Sequence, residues 1–285
     1  MKAVGDFIKD TRKDLETVYD PSEIQRIIIL LLEEVKGLAS SASNFKSHEI
    51  LSDQDVVQLE KYIYELKLHK PIQYVLGHAW FYGLKFLMNE HVLIPRPETE
   101  ELCEWILSEA DLKKDSSILD IGTGSGCIAI TLKKKWPGAK VFALDISDEA
   151  LQTAKENAML NNTDVTFLKG DILLKHQLKI SQTKFDIIVS NPPYVRKSEM
   201  DGMNSSVKDF EPHLALFVDG DDPVIFYSSI ADFAKQHLNQ NGKLYFEINQ
   251  ELGLGVVNLL REKGFINVEL RKDLSGNDRM VMATF

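Results

Sequence analysis

Cysteine is scarce: the 285 residues hold two, Cys103 and Cys127, and both sit in apolar helical surroundings. A disulfide framework has nothing to build on, and the pair reads as small buried hydrophobes rather than a redox couple or a catalytic thiol. Long apolar runs are missing too. The longest, Ile27 to Leu32, is far too short to span a bilayer, so no membrane association is expected. The N-terminus carries acidic residues and no apolar segment of signal-peptide length. Export and organelle import are therefore not expected, and the expected location is the cytoplasm. Basic charge is outweighed, with 33 Lys and Arg against 43 Asp and Glu and a net charge of −10. That balance opposes a nonspecific grip on phosphate backbones or anionic lipid, so no stable nucleic-acid partner is expected. Seven histidines are scattered without HExxH or comparable ligand spacing, so no metal site is expected. No internal repeat and no low-complexity tract appears.

What remains is a globular composition, 44% hydrophobic and 27% charged, able to build a large core without metals or disulfides. The length suggests a main domain with a smaller module. From residue 1 to 73 the apolar residues recur at helical spacing: Phe7, Ile8, Leu15 and Val18, then Ile24 to Val35, then Val56 to Leu66. Asp20 before Pro21 marks a helix start, and the Ser- and Ala-rich stretch Gly37 to Asn44 reads as a connector. A small helical bundle is expected there. Over 74–95 the aromatic and β-branched segments Trp80 to Phe86 and His91 to Ile94, around a turn near Met88 and Asn89, predict a β-hairpin linker.

After Pro95, Arg96 and Pro97 the rhythm changes. Over 96–285 strands are expected near 118–121, 139–145, 164–170, 185–190, 242–248, 265–271 and 279–284, the early ones separated by helices. Such alternation implies an α/β domain: a seven-stranded, mostly parallel sheet covered on both faces, with ligands at the carboxyl ends of its strands. The last two strands, separated by Asp273 to Arg279 alone, are too close for a crossover helix and predict an antiparallel hairpin.

Two places on this frame carry chemistry. The strand Ser117 to Ile121 runs into Gly122, Thr123, Gly124, Ser125 and Gly126 before a helix, so backbone N–H groups and a helix N-terminus can approach a ligand closely. Asp145 ends the next strand, where a carboxylate accepts hydrogen bonds from ribose hydroxyls. A dinucleotide fingerprint would need glycine at Cys127, and a P-loop would need a GK[ST] ending; neither is present. The pattern D-x-G-x-G-x-G from Asp120 resembles instead the first motif of class I methyltransferases, whose cofactor S-adenosylmethionine has no phosphate. Glycines that only shape a turn are the competing explanation, and Asp145 in this strand context weighs against it.

The second place is Asn191, Pro192, Pro193 and Tyr194, delivered by the strand Phe185 to Ser190 at the same sheet edge. An amide or exocyclic amine nitrogen is a poor nucleophile because its lone pair is delocalised. Two acceptors, the Asn191 side-chain oxygen and the Pro192 carbonyl, can orient its two N–H groups and favour charge developing during methyl transfer. The paired prolines stiffen the loop, and Tyr194 offers a flat face to a planar group. A rigid turn is the alternative explanation for N-P-P-Y, and it loses ground once a cofactor loop shares the edge.

The chain resembles the HemK/PrmC family of protein glutamine-N5 methyltransferases that modify peptide chain release factors. The resemblance is carried by P-I-Q-Y-V-L-G at Pro71 to Gly77, F-Y-G-L at Phe81 to Leu84 and L-I-P-R-P-E-T-E at Leu93 to Glu100. It continues through D-I-G-T-G-S-G at Asp120 to Gly126, N-P-P-Y, E-P-H-L-A-L-F at Glu211 to Phe217 and D-L-S-G-N-D-R at Asp273 to Arg279. It implies a Rossmann-like class I methyltransferase domain behind a helical domain that helps dock the substrate. It implies a cofactor site at Gly122 to Gly126, Asp145, Asp171, Ile172 and Asn191, with S-adenosyl-L-homocysteine as product. It also implies that Asn191 to Tyr194 bind the glutamine of the Gly-Gly-Gln motif of class 1 release factors; separately from the resemblance, a monomer is expected. Two departures stand out. Ile172 lies where relatives often place an aromatic residue near the adenine, and Asn277 stands where Arg is expected.

The alternative enzyme reading is N6-adenine methylation of DNA or RNA, since the same acceptor geometry suits an exocyclic amine. A cofactor-binding module without catalysis is the reading from another class. Arg96, Glu98 and Glu100 open the first helix of the domain, where the family pattern places the cleft border and the helix dipole equally explains the acids. Glu247, near a strand end, is either a cleft residue or a structural cap.

Overall fold

The computed structural model describes residues 2–37, 45–109, 115–178, 180, 183–218, 220 and 222–285. The chain divides into two compact units, Met1–Gly77 with Asn204–Phe210, and His78–Met203 with Glu211–Phe285.

The first unit is built on α1 (Val4–Leu15), α2 (Pro21–Lys36), α3 (Asp53–Lys67) and the short α4 (Ile72–Leu76). Asp20 caps α2 as the sequence indicates, its Oδ1 accepting from the N–H groups of Ser22 and Glu23, with Pro21 in the first turn. Ser52 and Asp55 close a capping box on α3, a start signal not singled out in the sequence. Each helix turns one apolar stripe inward, and Phe7, Leu15, Ile28, Leu31, Leu59 and Leu66 meet in a common core. The segment is not purely helical. Lys2–Ala3 pairs antiparallel with Ile50–Leu51, a bridge too short to leave an alternating pattern. Of the expected connector, residues 38–44 lie outside the described residues.

The second unit opens with a hairpin, β1 (His78–Phe81) and β2 (Leu84–Leu87). Its turn is at Tyr82 and Gly83, not near Met88 and Asn89, and His91 to Ile94 forms no strand. The aromatic residues that masked the turn have other tasks. Phe81 and Phe86 are buried edge to face, while Tyr82 donates from its backbone N–H to Glu100 and from its hydroxyl to Glu104. The expected linker range 74–95 therefore contains part of a helix, a hairpin and an irregular approach to the next helix.

That helix is α5 (Pro97–Glu109). The alternation then runs β3 (Ser117–Ile121), α6 (Cys127–Lys135), β4 (Lys140–Asp145), α7 (Asp148–Leu160), β5 (Thr166–Lys169) and β6 (Phe185–Ser190). After several short helices come α8 (Ile225–His237), β7 (Leu238–Glu247), α9 (Gly253–Glu262), β8 (Ile266–Lys272) and β9 (Asp278–Thr284). The seven strands order as β8-β9-β7-β6-β3-β4-β5, with β9 alone antiparallel to its neighbours. This is the expected sheet, closing antiparallel hairpin included. β7 starts four residues earlier than the expected 242, and a register shift between Leu238 and Lys243 accommodates the polar start.

The central strands read as nearly unbroken apolar runs because helices cover both faces. Leu119, Ile188, Leu244, Phe246 and Val281 are all fully buried. Between β3 and β6 the chain reverses direction across the sheet, and the crevice at such a reversal is where ligands bind in open α/β sheets. Among the described residues no helix is long and apolar enough to cross a membrane.

Candidate active site

A cavity of about 390 Å³ opens at that crevice. It is lined by Ile121, Gly122 and Gly124 at the end of β3, by Leu144 to Ser147 at the end of β4, and by Ser190 to Pro193 at the end of β6. Gly170, Asp171, Ile172 and Leu173 add a wall.

The loop after β3 is shaped by its own hydrogen bonds. Gly122 and Thr123 both donate to the Leu144 carbonyl, at 2.8 and 3.1 Å, and Gly126 donates to the Thr123 carbonyl at 2.8 Å. Gly124 takes φ +53 with empty space where a Cβ would point, so its backbone faces the cavity without obstruction. Gly126 takes φ +83 for a different reason: a Cβ there would meet Ile130 Cδ1 at 2.9 Å and Ala154 Cβ at 3.2 Å. It is a packing glycine. Thr123 and Ser125 are buried too, Thr123 donating from Oγ1 to Asp120 Oδ2 at 2.6 Å. Of the five consecutive loop residues, Gly122 and Gly124 are brought to the cavity wall; Thr123, Ser125 and Gly126 shape the loop beneath it.

Asp145 is on the wall. Its Oδ2 accepts from Gly124 N–H at 2.8 Å and its Oδ1 from Ser147 N–H at 3.0 Å, which leaves each oxygen a further lone pair for a ligand hydroxyl. Burial raises its pKa and those backbone donors counter the rise. Asp120, beneath the loop, is buried more completely, and burial pushes its carboxyl up to about 7. Asp171 lines the cavity while its Oδ1 accepts from Leu173 N–H, and buried Ile172 presents an apolar contact beside it.

The tetrapeptide divides. Asn191, Pro192 and Pro193 line the cavity, whereas Tyr194 is absent from its wall and packs on the hydrophobic core of the sheet. Burial, then nearby Glu247, push the Tyr194 phenol up to about 12. Asn191 Nδ2 donates to Thr99 Oγ1 at 3.4 Å, and Thr99 Oγ1 donates to Glu247 Oε2 at 2.6 Å. Ser190 Oγ donates to the Ile121 carbonyl at 2.7 Å, tying the end of β6 to the end of β3. Arg96 reaches across to Glu211 at 2.5 Å, and Glu211 also accepts from Ile94 N–H, so the P-R-P and E-P-H-L-A-L-F segments are fastened together. The segment from Asp273 to Arg279 closes on itself through Arg279 Nε to Asp273 Oδ2 at 3.2 Å, and Arg279 Nη1 donates to the Ile248 carbonyl.

Leu93 and Phe217 on the wall belong to the L-I-P-R-P-E-T-E and E-P-H-L-A-L-F segments, whereas other wall residues, including Val92, Ile146, Phe226 and Ile230, carry no motif of their own. Nothing in the sequence distinguishes them from core residues. Among the described residues no group of three or more His, Cys, Asp or Glu could hold a metal ion.

Sheet order, the glycine loop and the acidic strand end together define a class I methyltransferase. The family model described as Methyltransferase small domain matches residues 101–208, and the one described as PrmC N-terminal domain matches residues 6–77. The chain is 48% identical over 275 residues to the release factor glutamine methyltransferase of Flavobacterium psychrophilum, covering 95% of each protein. It is 42% identical to that of Bacteroides thetaiotaomicron, covering 95% of this chain and 96% of the relative. This chain belongs to the release factor glutamine methyltransferase family. A methyltransferase from Pyrococcus furiosus of known crystal structure shares the fold, with a TM-score of 0.52 and 21% identity over 71% of this chain and 89% of that one.

The cofactor of this class is S-adenosylmethionine, and the residues present fit it. Among the described residues the cavity wall has no Lys or Arg and two carboxylates, a donor set suited to a cationic nucleoside without phosphate. Gly122 and Gly124 form a cradle that side chains would fill, Asp145 offers acceptors to hydroxyls, and Ile146, Ile172 and Leu173 supply apolar surface for a purine.

Proposed function

We propose that this protein methylates the side-chain amide nitrogen, N5, of the glutamine in the Gly-Gly-Gln motif of class 1 peptide chain release factors. The observation that carries the reading is the Asn191 amide at the cavity wall: its nitrogen is turned to Thr99, and its oxygen is the branch left for a substrate.

Asn191 Oδ1 and the Pro192 carbonyl accept the two hydrogens of the glutamine carboxamide. That grip holds the nitrogen in one orientation and favours positive charge as it is alkylated. Pro192 and Pro193 fix the backbone so that the acceptors are in place before the substrate arrives, and Tyr194 anchors the loop in the core. Gly122, Gly124, Asp145, Asp171 and Ile172 hold the cofactor, which supplies an electrophilic methyl group when bound. No carboxylate base is needed, because the alkylated nitrogen loses its proton after transfer. The helical unit, residues 1–73, helps to dock the release factor. The protein works in the cytoplasm as a monomer.

Bare nucleic acid is the weaker substrate, given a net charge of −10 and a cavity wall without a described cation. The test is incubation with recombinant class 1 release factor and methyl-labelled cofactor, followed by peptide mass spectrometry. Label on the Gly-Gly-Gln glutamine is expected. Its absence there, with label on adenine in DNA or RNA, overturns the assignment.

A further inference from the structure

We propose that Thr99 and Glu247 are positioning residues that decide which end of the Asn191 side-chain amide faces the substrate. The inference rests on the reading of Asn191 as the group that holds the acceptor amide. The three residues come from different elements: Thr99 from the first turn of α5, Asn191 from the loop after β6, and Glu247 from the end of β7. Thr99 is 3% exposed and Glu247 2% exposed, so neither has a surface role.

Hydrogen count fixes the polarity of the three side chains. A hydroxyl has one hydrogen to give, and an ionised carboxylate can only accept. With Thr99 Oγ1 2.6 Å from Glu247 Oε2, the single hydrogen of Thr99 is committed to the carboxylate. Toward Asn191, Thr99 therefore presents lone pairs alone, and the Asn191 amide must meet it with Nδ2, as observed. Oδ1 is thereby left to accept from a substrate N–H. Protonated Glu247 reverses the chain. It donates to Thr99, Thr99 donates to Asn191 Oδ1, and the amide turns Nδ2 toward the substrate, where two donor groups face each other. The same three side chains thus have a productive and an unproductive polarity, and the charge on Glu247 selects between them.

The surroundings put that choice within reach of ordinary pH. Burial pushes the Glu247 carboxyl up to about 7, opposed by the Thr99 hydrogen bond and by the charge of Arg279 on β9. From the start of α5, Glu98 raises it further and Arg96 lowers it. The remaining titratable neighbours are Cys103 on α5, Cys127 on α6, Tyr194 after β6 and Tyr227 on α8, whose own pKa values burial raises, so they stay neutral across the range.

Two measurements on the full chain test the proposal. The first follows the Asn191 side-chain amide by NMR in protein selectively labelled with nitrogen-15 on asparagine, without substrate. Its Nδ2 protons should shift with a midpoint near 7, and the shift should vanish in Glu247→Gln and Thr99→Val. The second is kinetics with recombinant release factor. Thr99→Val should lower kcat at least tenfold with cofactor affinity within threefold of the parent, and Thr99→Ser should restore most of the loss. Parental kcat should fall below pH 7, and that acid limb should disappear in Glu247→Gln. An Asn191 amide indifferent to pH, or equal kcat in Thr99→Val and Thr99→Ser, overturns the proposal. An amide that titrates as described in a protein that leaves release factor unlabelled overturns the substrate assignment and leaves the positioning role standing.

Discussion

Two glycines of one loop should respond to the same substitution in opposite order, depending on the assay. Gly124 and Gly126 both hold left-handed backbone, so an alanine at either costs about 1–2 kcal/mol in conformational strain. At Gly124 the added methyl meets nothing within 4 Å and enters the space of the cavity. Stability should therefore fall by the strain alone, about 2–8 °C in Tm for a unit of this size. Cofactor affinity should fall at least tenfold, or about 1.4 kcal/mol. At Gly126 the methyl instead meets Ile130 Cδ1 at 2.9 Å and Ala154 Cβ at 3.2 Å. The Ile130 end can swing aside and Ala154 cannot, so overpacking adds about 1–3 kcal/mol to the strain. Gly126→Ala should be the less stable protein by denaturant titration, yet bind S-adenosylmethionine within about threefold of the parent by calorimetry. If Gly126→Ala loses the greater share of affinity, or Gly124→Ala the greater share of stability, the division of the loop into a cavity-facing and a packing glycine is wrong.

Asn157→Ala should cost about 3 kcal/mol in chemical denaturation, because that buried side chain accepts from Leu87 N–H and donates to the carbonyls of Leu87 and Ser125; a loss under 1 kcal/mol refutes its role as the clamp between hairpin and cofactor loop. Arg96→Ala should destabilise by about 3 kcal/mol, since it strips the cation from Glu211, whose side chain is 1% exposed, and Glu211→Gln in the same protein should recover part of that loss. Asp120 keeps its proton in the folded protein up to about pH 7 while the unfolded chain releases it near 3.8, so its stabilising contribution is complete at low pH and is lost as pH rises through 7. Between pH 5 and 7 the stability of the cofactor-free protein should fall more steeply than that of Asp120→Asn, by up to about 1.4 kcal/mol per pH unit; parallel curves refute the raised pKa.

The strands of the sheet were legible because their apolar runs, such as Phe185 to Ser190, are buried on both faces and end in punctuating residues. The two chemical loops were legible because glycine, proline and asparagine are rare in that density and order. The hairpin turn is hidden in the sequence because Trp80, Phe81, Tyr82 and Phe86 read as one strand, while the chain reverses at Tyr82 and Gly83 in their midst. Side-chain direction inside a loop leaves no sequence trace. Tyr194 stands beside Pro193 in sequence yet turns into the core, and Thr123 and Ser125 turn under the loop that Gly122 and Gly124 expose. Thr99, Asn191 and Glu247 meet only because α5, β6 and β7 pack together, and a sequence separation of 148 between Thr99 and Glu247 hides that from any local pattern.

The bond from Ser190 Oγ to the Ile121 carbonyl fastens two neighbouring rails of the sheet at the point where each releases a loop. In the proposed function the cofactor loop hangs from one rail and the substrate loop from the other, so the spacing between their roots is set by the interstrand distance, about 4.8 Å. A chassis of that kind keeps its gauge while cargo changes: new acceptors can be accommodated by re-lining the loops, with the track between them left untouched.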